Sequence, residues 1–349
     1  MANNQIARLC VNLKRTAGFI IVLSLFLTDS AKGQAESSKN ISEQLYIQLG
    51  GEKQYVEIMS TSNKNPVLLF LHGGPGWPQT PQLRYFNSEL TKSITIVAWE
   101  QPGCGKSFMK NPDPKNLSLE KLISDGHELT QWLKKKFKTR KIYLAGFSWG
   151  SVIGLNLVNR FPDDYSAYFG ISQVINLKRS IDLSREWIKK EAELKNDTAM
   201  LRKIVMLEKK DTSFCKNDLD CFLKKYEMLT EYHGAIHNTK VEAEIDRSEK
   251  KYPDYKEYDW MKGFIYSADR LGNALFQTDL SNIKELKVPV YFFVGRYDWN
   301  LPTIVTEDYF KALLAPKKEM VWFENSGHEP LEEEAHAFDN ELIKRIRHK

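Results

Sequence analysis

The strongest constraint on this chain is a series of short apolar runs, most of them ending in glycine. Val67-Leu68-Leu69-Phe70-Leu71 ends in His72-Gly73-Gly74-Pro75-Gly76, and Ile94-Thr95-Ile96-Val97-Ala98-Trp99 ends in Gln101-Pro102-Gly103-Cys104-Gly105. Lys141-Ile142-Tyr143-Leu144-Ala145 enters Gly146-Phe147-Ser148-Trp149-Gly150, and residues 168–171, 288–294 and 320–323 are further runs of the same kind. Such short, continuous runs fit strands buried on both faces, as in a parallel sheet. Between them, helical spacing covers 118–138 with Ser118 as N-cap, an apolar stretch through Val158, then 302–314 and 331–347. Alternating strands and helices predict an α/β fold with a mostly parallel sheet covered on both faces. Ligands then bind beyond the carboxyl ends of the strands, where the glycine-rich turns fall. Two strand-like stretches about Gly50-Gly51 predict a hairpin ahead of this series.

Two regions break the rhythm. Residues 174–275 hold no buried-strand run and much helical charge, such as Glu191-Ala192-Glu193-Leu194-Lys195. They predict a helical cap inserted between two core segments, 36–173 and 276–349. At the other end, Arg8, Lys14 and Arg15 precede an apolar run over 17–27, followed by Ala31, Gly33 and Ala35. The run is shorter than the roughly 20 residues a spanning helix needs, and it suits the apolar centre of a secretory signal. Residues 1–35 therefore read as a signal peptide. The mature protein is expected to be secreted or periplasmic, with no stable membrane association after cleavage.

Export changes the meaning of the composition. The precursor carries a net charge of +5 from 50 basic and 45 acidic residues. Removing 1–35 leaves 46 against 44, so the basicity points to no polyanionic partner. The longest basic run, Lys134-Lys135-Lys136, sits on a helix and reads as a solvated face, so no nucleic acid is expected. Cleavage also leaves three cysteines, of which Cys215 and Cys221 bracket a short polar loop. In an oxidising compartment they could form a disulfide, the alternative being two unpaired thiols. No metal, nucleotide or other cofactor is expected. Gly103-Cys104-Gly105-Lys106-Ser107 lacks the preceding glycine of a phosphate-binding loop.

Gly146-Phe147-Ser148-Trp149-Gly150 follows a buried strand and opens a helix, which is the context of a nucleophile elbow. A serine hydroxyl needs a base to take its proton, and the base needs a carboxylate to orient it. Of seven histidines, His328 alone lies in a loop directly after the last strand. Asp298 follows Val294-Gly295-Arg296-Tyr297 at the end of the preceding strand. The order Ser148, Asp298, His328 is that of an α/β-hydrolase triad. The oxyanion donors are expected at the Trp149 amide and at Gly74, with Gly73 in reserve. Gly73 and Phe147 should also lie against the substrate. His72 is expected to hold its loop by hydrogen bonding and not to act as a base.

With His72-Gly73-Gly74-Pro75-Gly76, Gln101-Pro102-Gly103-Cys104-Gly105-Lys106-Ser107, Ser148-Trp149-Gly150-Ser151 and Gly295-Arg296-Tyr297-Asp298 in hand, the chain resembles the proline iminopeptidases and their α/β-hydrolase relatives. The resemblance covers the two core segments and leaves the insertion aside. It implies a serine hydrolase working through an acyl-enzyme, with Cys104 a loop cysteine near the site. The family usually has an aspartate and an arginine where this chain has Glu100 and Pro102, and a glycine where it has Phe147. Iminopeptidases also grip the substrate's amino terminus with cap glutamates, for which Glu227 and Glu231 are the candidates. The expected substrate is a short peptide or another small molecule. The alternative is a carboxylesterase or lactonase with the same triad. An epoxide hydrolase or dehalogenase would need a carboxylate at position 148, and a binding protein on this scaffold would normally have lost a triad member.

Overall fold

A computed structural model of the chain describes residues 40–210 and 219–347. The expected signal peptide lies outside the described residues, as does Cys215 and with it the pairing considered for Cys221. Eight strands form one sheet: β1 (Ile41–Leu49), β2 (Glu52–Ser60), β3 (Val67–Leu71), β4 (Thr95–Glu100), β5 (Ile142–Phe147), β6 (Tyr165–Ile171), β7 (Val290–Gly295) and β8 (Lys318–Phe323). Their order is β1-β2-β4-β3-β5-β6-β7-β8. β1 pairs with β2 and β2 with β4 in antiparallel fashion, while every later pairing is parallel. Gly50 and Gly51 turn the hairpin with φ of 53° and 82°, the positive values that a tight two-residue connection needs.

Every residue of β3, β4, β5 and β7 is buried, as their largely apolar composition predicts, with Glu100 at the end of β4 the buried charged exception. Alternate side chains serve two cores. Leu69 and Leu71 of β3 join Leu144, Val152 and Leu155 on one face. Leu68 and Phe70 join Ala145, Phe169 and Phe338 on the other. Each such apolar side chain contributes roughly 1.5–3 kcal/mol on leaving water, which is why both faces must be covered. Sequential strands reverse direction across the sheet between β3 and β5. The register sets Leu71 of β3 beside Gly146 of β5, so the loops following these two strands emerge side by side.

The helix Leu119–Lys136 is capped as expected, with the Ser118 hydroxyl accepting the Lys121 amide. Its basic end is engaged in ion pairs, Lys134 with Asp164 and Lys136 with Glu43. The single closing helix expected over 331–347 is instead two, Pro330–Glu333 and Ala335–Arg347. The break at Glu334 comes with a competing use of its carboxylate, which accepts from the Asn325 amide and the Ser326 hydroxyl.

Between β6 and β7 the described residues form the α-helices Leu177–Leu194, Thr198–Lys210, Leu219–Glu231, Thr239–Lys251 and Trp260–Phe276. Polar contacts seat them on the glycine loops. Ser267 donates to the Gly103 carbonyl at 2.9 Å, Tyr258 to that of Gly76 at 3.2 Å, and Tyr255 to the buried Glu100 carboxylate. Glu100, which stands where the family usually has aspartate, thus ties strand β4 to the inserted helices. Lys106 and Arg84 both reach Asp254 from the core side.

The helix Trp149–Arg160 comes closest to the sheet at Gly150, where an added Cβ would lie 2.2 Å from the Leu71 carbonyl oxygen. Gly150→Ala should therefore cost roughly 1–3 kcal/mol, read as a lower urea midpoint at unchanged slope. Gly272→Ala, whose Cβ meets nothing nearer than 3.8 Å inside a helix, should raise the midpoint through a gain of about 0.5–1 kcal/mol.

Candidate active site

Ser148 joins strand β5 to the helix Trp149–Arg160 with φ +48° and ψ −115°, a conformation that a side-chain-bearing residue adopts only under constraint. The constraint comes from its neighbours. The Ser148 amide donates to the Ile171 carbonyl at 3.0 Å, and the helix is held against β3 at Gly150. The hydroxyl is thereby turned away from the backbone. Its Oγ lies 3.0 Å from His328 Nε2, and His328 Nδ1 lies 2.9 Å from Asp298 Oδ2. The other oxygen of Asp298 accepts the Leu301 amide at 2.8 Å. The three residues named from the sequence thus form one hydrogen-bonded line, with His328 and Asp298 buried. A carboxylate at Nδ1 places the imidazole proton there and leaves Nε2 to accept from the serine. Burial pulls the imidazole down, but the charge and hydrogen bond of Asp298 outweigh it and hold His328 above its ordinary value.

Trp149 occupies the first helical position, where an amide has no partner within the helix. Gly74 follows β3 with φ +106°, in the left-handed region that favours glycine. Both Gly73 and Gly74 line the cavity that contains Ser148, as does Phe147. A Cβ at Gly73 would stand 3.0 Å from the Phe147 ring, so these two residues fit together beside the nucleophile. His72 accepts the Gln101 amide at Nε2 and donates from Nδ1 to the Gly73 carbonyl at 2.7 Å. Burial drops its imidazole to about 4, so it stays neutral and bridges the loops after β3 and β4. Cys104 is a buried free thiol, 3.9 Å from that imidazole, and burial pushes it well up.

The cavity has a volume of about 450 Å³. Phe147, Phe222, Leu223, Ile236, Met261 and Phe264 supply its apolar wall. Five carboxyl groups also line it: Glu242, Asp246, Glu249, Glu329 and Glu332. Among the described residues no lysine or arginine lines it, and none of the five carboxylates forms an ion pair. Burial, reinforced by neighbouring carboxylates, lifts Glu249 to about 7 and holds Glu332 well above the usual carboxylate range.

Glu227 and Glu231 are not among these residues, and the expectation for them is corrected. The helix Leu219–Glu231 turns Phe222, Leu223, Tyr226 and Thr230 into the cavity. One residue further round, about 100° away, Glu227 and Glu231 face outward and are exposed. Glu231 is spent on Lys203 at 2.8 Å.

Two supporting residues escaped the sequence reading. Glu333 sits in an acidic run that looks like a solvated helix start, yet its carboxylate is buried under four backbone amides. One oxygen accepts from Gly327 at 2.8 Å and Glu329 at 3.3 Å, the other from His237 and Asn238, both at 2.8 Å. It staples the His328 loop to the loop at 234–238. That loop also accepts the His328 amide at Ala235 (2.7 Å) and the Trp299 amide at Gly234 (2.8 Å). The second is Lys225, whose fully buried ammonium donates to Asn300 Oδ1 at 3.1 Å. Burial pulls it down to about 8 against the opposing pull of Asp298. No local pattern marks either residue, since Lys225 and half of the Glu333 contacts find their partners across chain folds.

Comparison with known proteins shows the family and the fold. The profile described as the alpha/beta hydrolase fold matches residues 66–335. The probable aminopeptidase YbaC of Bacillus subtilis is 30% identical over 316 residues, which is 89% of this chain and 98% of that protein. A proline iminopeptidase of Thermoplasma volcanium is 29% identical over 110 residues, 32% of this chain and 35% of that protein. Among solved structures, the proline iminopeptidase of Mycobacterium smegmatis superposes with a TM-score of 0.62 at 15% identity, covering 88% of this chain and 97% of its own. An esterase from Exiguobacterium antarcticum superposes with a TM-score of 0.57 at 18% identity, covering 87% and 100%.

Lys225 opposes the proton on His328 through space. Lys225→Met should therefore raise the midpoint of the His328 imidazole titration, followed by NMR on histidine-labelled protein. An unchanged or lower midpoint would show that this ammonium does not act on the imidazole.

Proposed function

The chain belongs to the α/β hydrolase family and is a hydrolytic enzyme, and on that premise we propose that it is a serine aminopeptidase releasing the N-terminal residue of short peptides. The observation that carries this reading is the cavity itself. It brings the Ser148 hydroxyl together with five carboxyl groups and no lysine or arginine among the described residues. An anionic substrate would be repelled there, and a neutral ester would leave the second oxygen of Glu332 and the side-chain oxygen of Gln82 unmatched. A free α-ammonium supplies one positive charge and three N–H donors.

In the proposed cycle Ser148 attacks the carbonyl carbon of the first peptide bond while His328 takes its proton. The C–N bond breaks as His328 returns that proton to the leaving amine, and the N-terminal residue remains on Ser148 as an ester. Water, deprotonated by His328, then releases it. Asp298 orients His328 and offsets its positive charge. The Trp149 and Gly74 amides hold the oxyanion, each donor worth roughly 3–4 kcal/mol of barrier. Because His328 must be neutral to act as base and its proton is held above the ordinary value, activity is lost as pH falls through that raised value. The basic-then-apolar start of the chain supports export, so the peptides would be met outside the cytoplasm.

The apolar wall of Phe147, Phe222, Leu223, Met261 and Phe264 favours a second reading, a carboxylesterase or lactonase using the same triad. A panel on purified protein separates the two. Aminoacyl arylamides should be hydrolysed, and their N-acetylated forms should lose on the order of 100-fold or more in kcat/KM, since a buried polar site is left unpaired. Ser148→Ala should abolish both turnover and labelling by a fluorophosphonate. Rapid cleavage of p-nitrophenyl esters without arylamide cleavage would reject the peptidase reading, and activity retained in Ser148→Ala would sink both.

A further inference from the structure

The carboxyl groups of the cavity outnumber what one α-ammonium requires, and their arrangement divides them. Glu242, Asp246 and Glu249 fall at i, i+4 and i+7 on the helix Thr239–Lys251, so they form one stripe facing the cavity. Glu329 and Glu332 line it from the turn after His328. Gln79 donates to one oxygen of Glu332 at 2.6 Å. The other oxygen of Glu332 and the Gln82 side-chain oxygen are buried acceptors with no donor, on residues 3% and 1% exposed that both line the cavity. Glu249 and Gln82 also touch, through a 3.4 Å hydrogen bond from the amide. Glu249 accepts the Trp77 indole at 3.1 Å on the same oxygen, so among the described residues the buried acceptors of the cavity without a donor are the second oxygen of Glu332 and the side-chain oxygen of Gln82.

Glu242 and Asp246 are exposed and are not part of that set. They are like charges four residues apart on a helix, which costs stability unless a cation relieves it. Elsewhere carboxylates on helices are commonly met by lysine or arginine, as Glu120 is by Arg160 and Asp308 by Arg179. Lys250 follows Asp246 by four residues on the same helix, yet among the described residues no ion pair reaches Glu242 or Asp246.

We propose that the N-terminal residue released by this enzyme is itself basic, a lysine or an arginine, with its α-ammonium at Glu249, Glu329 and Glu332 and its side-chain cation at Glu242 and Asp246. This rests on the aminopeptidase reading. Only one residue lies on the acyl side of the bond that an aminopeptidase cuts. A second positive charge bound on that side of Ser148 therefore belongs to that residue's side chain. High carboxyl affinities for protons in the empty cavity fit the same picture, since a bound cation replaces those protons.

The test compares kcat/KM of the full protein on lysyl, arginyl, norleucyl, alanyl and prolyl arylamides. Norleucine keeps the lysine stem without the charge. Lysyl and arginyl substrates should exceed the norleucyl one by about fivefold or more, the worth of one partly screened ion pair. The lysyl-to-norleucyl ratio should fall toward one in the Glu242→Gln, Asp246→Asn double variant, and also at about 1 M salt. Circular dichroism and the rate of fluorophosphonate labelling report whether the variant is folded. Norleucyl, alanyl or prolyl substrates cleaved as well as lysyl by the unaltered protein overturn the inference alone, as does an unchanged ratio in the folded variant. Cleavage of esters but of no aminoacyl arylamide overturns the aminopeptidase reading and this inference with it.

Discussion

The approach of the helix Trp149–Arg160 to the sheet at Gly150 is the contact from which the site follows. With no side chain at 150, the helix comes within backbone distance of the Leu71 carbonyl, closer than any other residue type allows. That approach forces the chain at Ser148 into a tight turn with positive φ. It also sets the first helical amide next to the loop that leaves β3, so Ser148 and the two amides proposed to hold the oxyanion come from two adjacent strand ends. The strain at Ser148 costs of order 1–3 kcal/mol. It is offset by the apolar face of the same helix, where Val152, Ile153 and Leu155 are fully buried.

In the proposed mechanism, an acidic cavity and a histidine base work against one another. Carboxylates that attract an ammonium also stabilise the imidazolium form of His328, and a base that stays protonated cannot accept the serine proton. Three features moderate the conflict. Burial disfavours the charged imidazole. The deepest carboxyls are themselves pushed upward, so part of their charge is absent until a cation arrives. Lys225 places a positive charge near Asp298 from the helix Leu219–Glu231. The inserted helices therefore take part in the electrostatics of the base as well as in shaping the cavity.

The core was legible because its physics is local. A strand buried on both faces is apolar along most of its length, so β3, β4 and β5 show in the sequence almost residue for residue, Glu100 at the end of β4 apart. The elbow shows because a strained turn needs glycines at fixed spacing about Ser148. His328 and Asp298 were found by their positions at strand ends, which the alternation of elements defines. The inserted helices were legible only as helices. Which face of Leu219–Glu231 turns inward depends on packing across the chain, so Glu227 and Glu231 were chosen one residue away from the face that lines the cavity. The stripe at 242, 246 and 249 has the spacing of a helical face, but nothing in its pattern separates a cavity wall from a solvated surface. Glu333 has no signature in the sequence, because its role joins the loop just before it to the amides of His237 and Asn238, almost a hundred residues away.

That buried carboxylate bears on how such enzymes diversify. By binding the amides of Gly327 and Glu329 together with those of His237 and Asn238, it makes the loop at 234–238 part of the scaffold that carries the general base. The helices on either side of this loop can change in length and composition while the loop stays, but the insertion is not one interchangeable module. A graft that replaced 174–275 whole would leave Glu333 facing two unmet hydrogen bonds and the His328 amide without its acceptor. Viable exchanges would have to splice the helices before and after the loop separately.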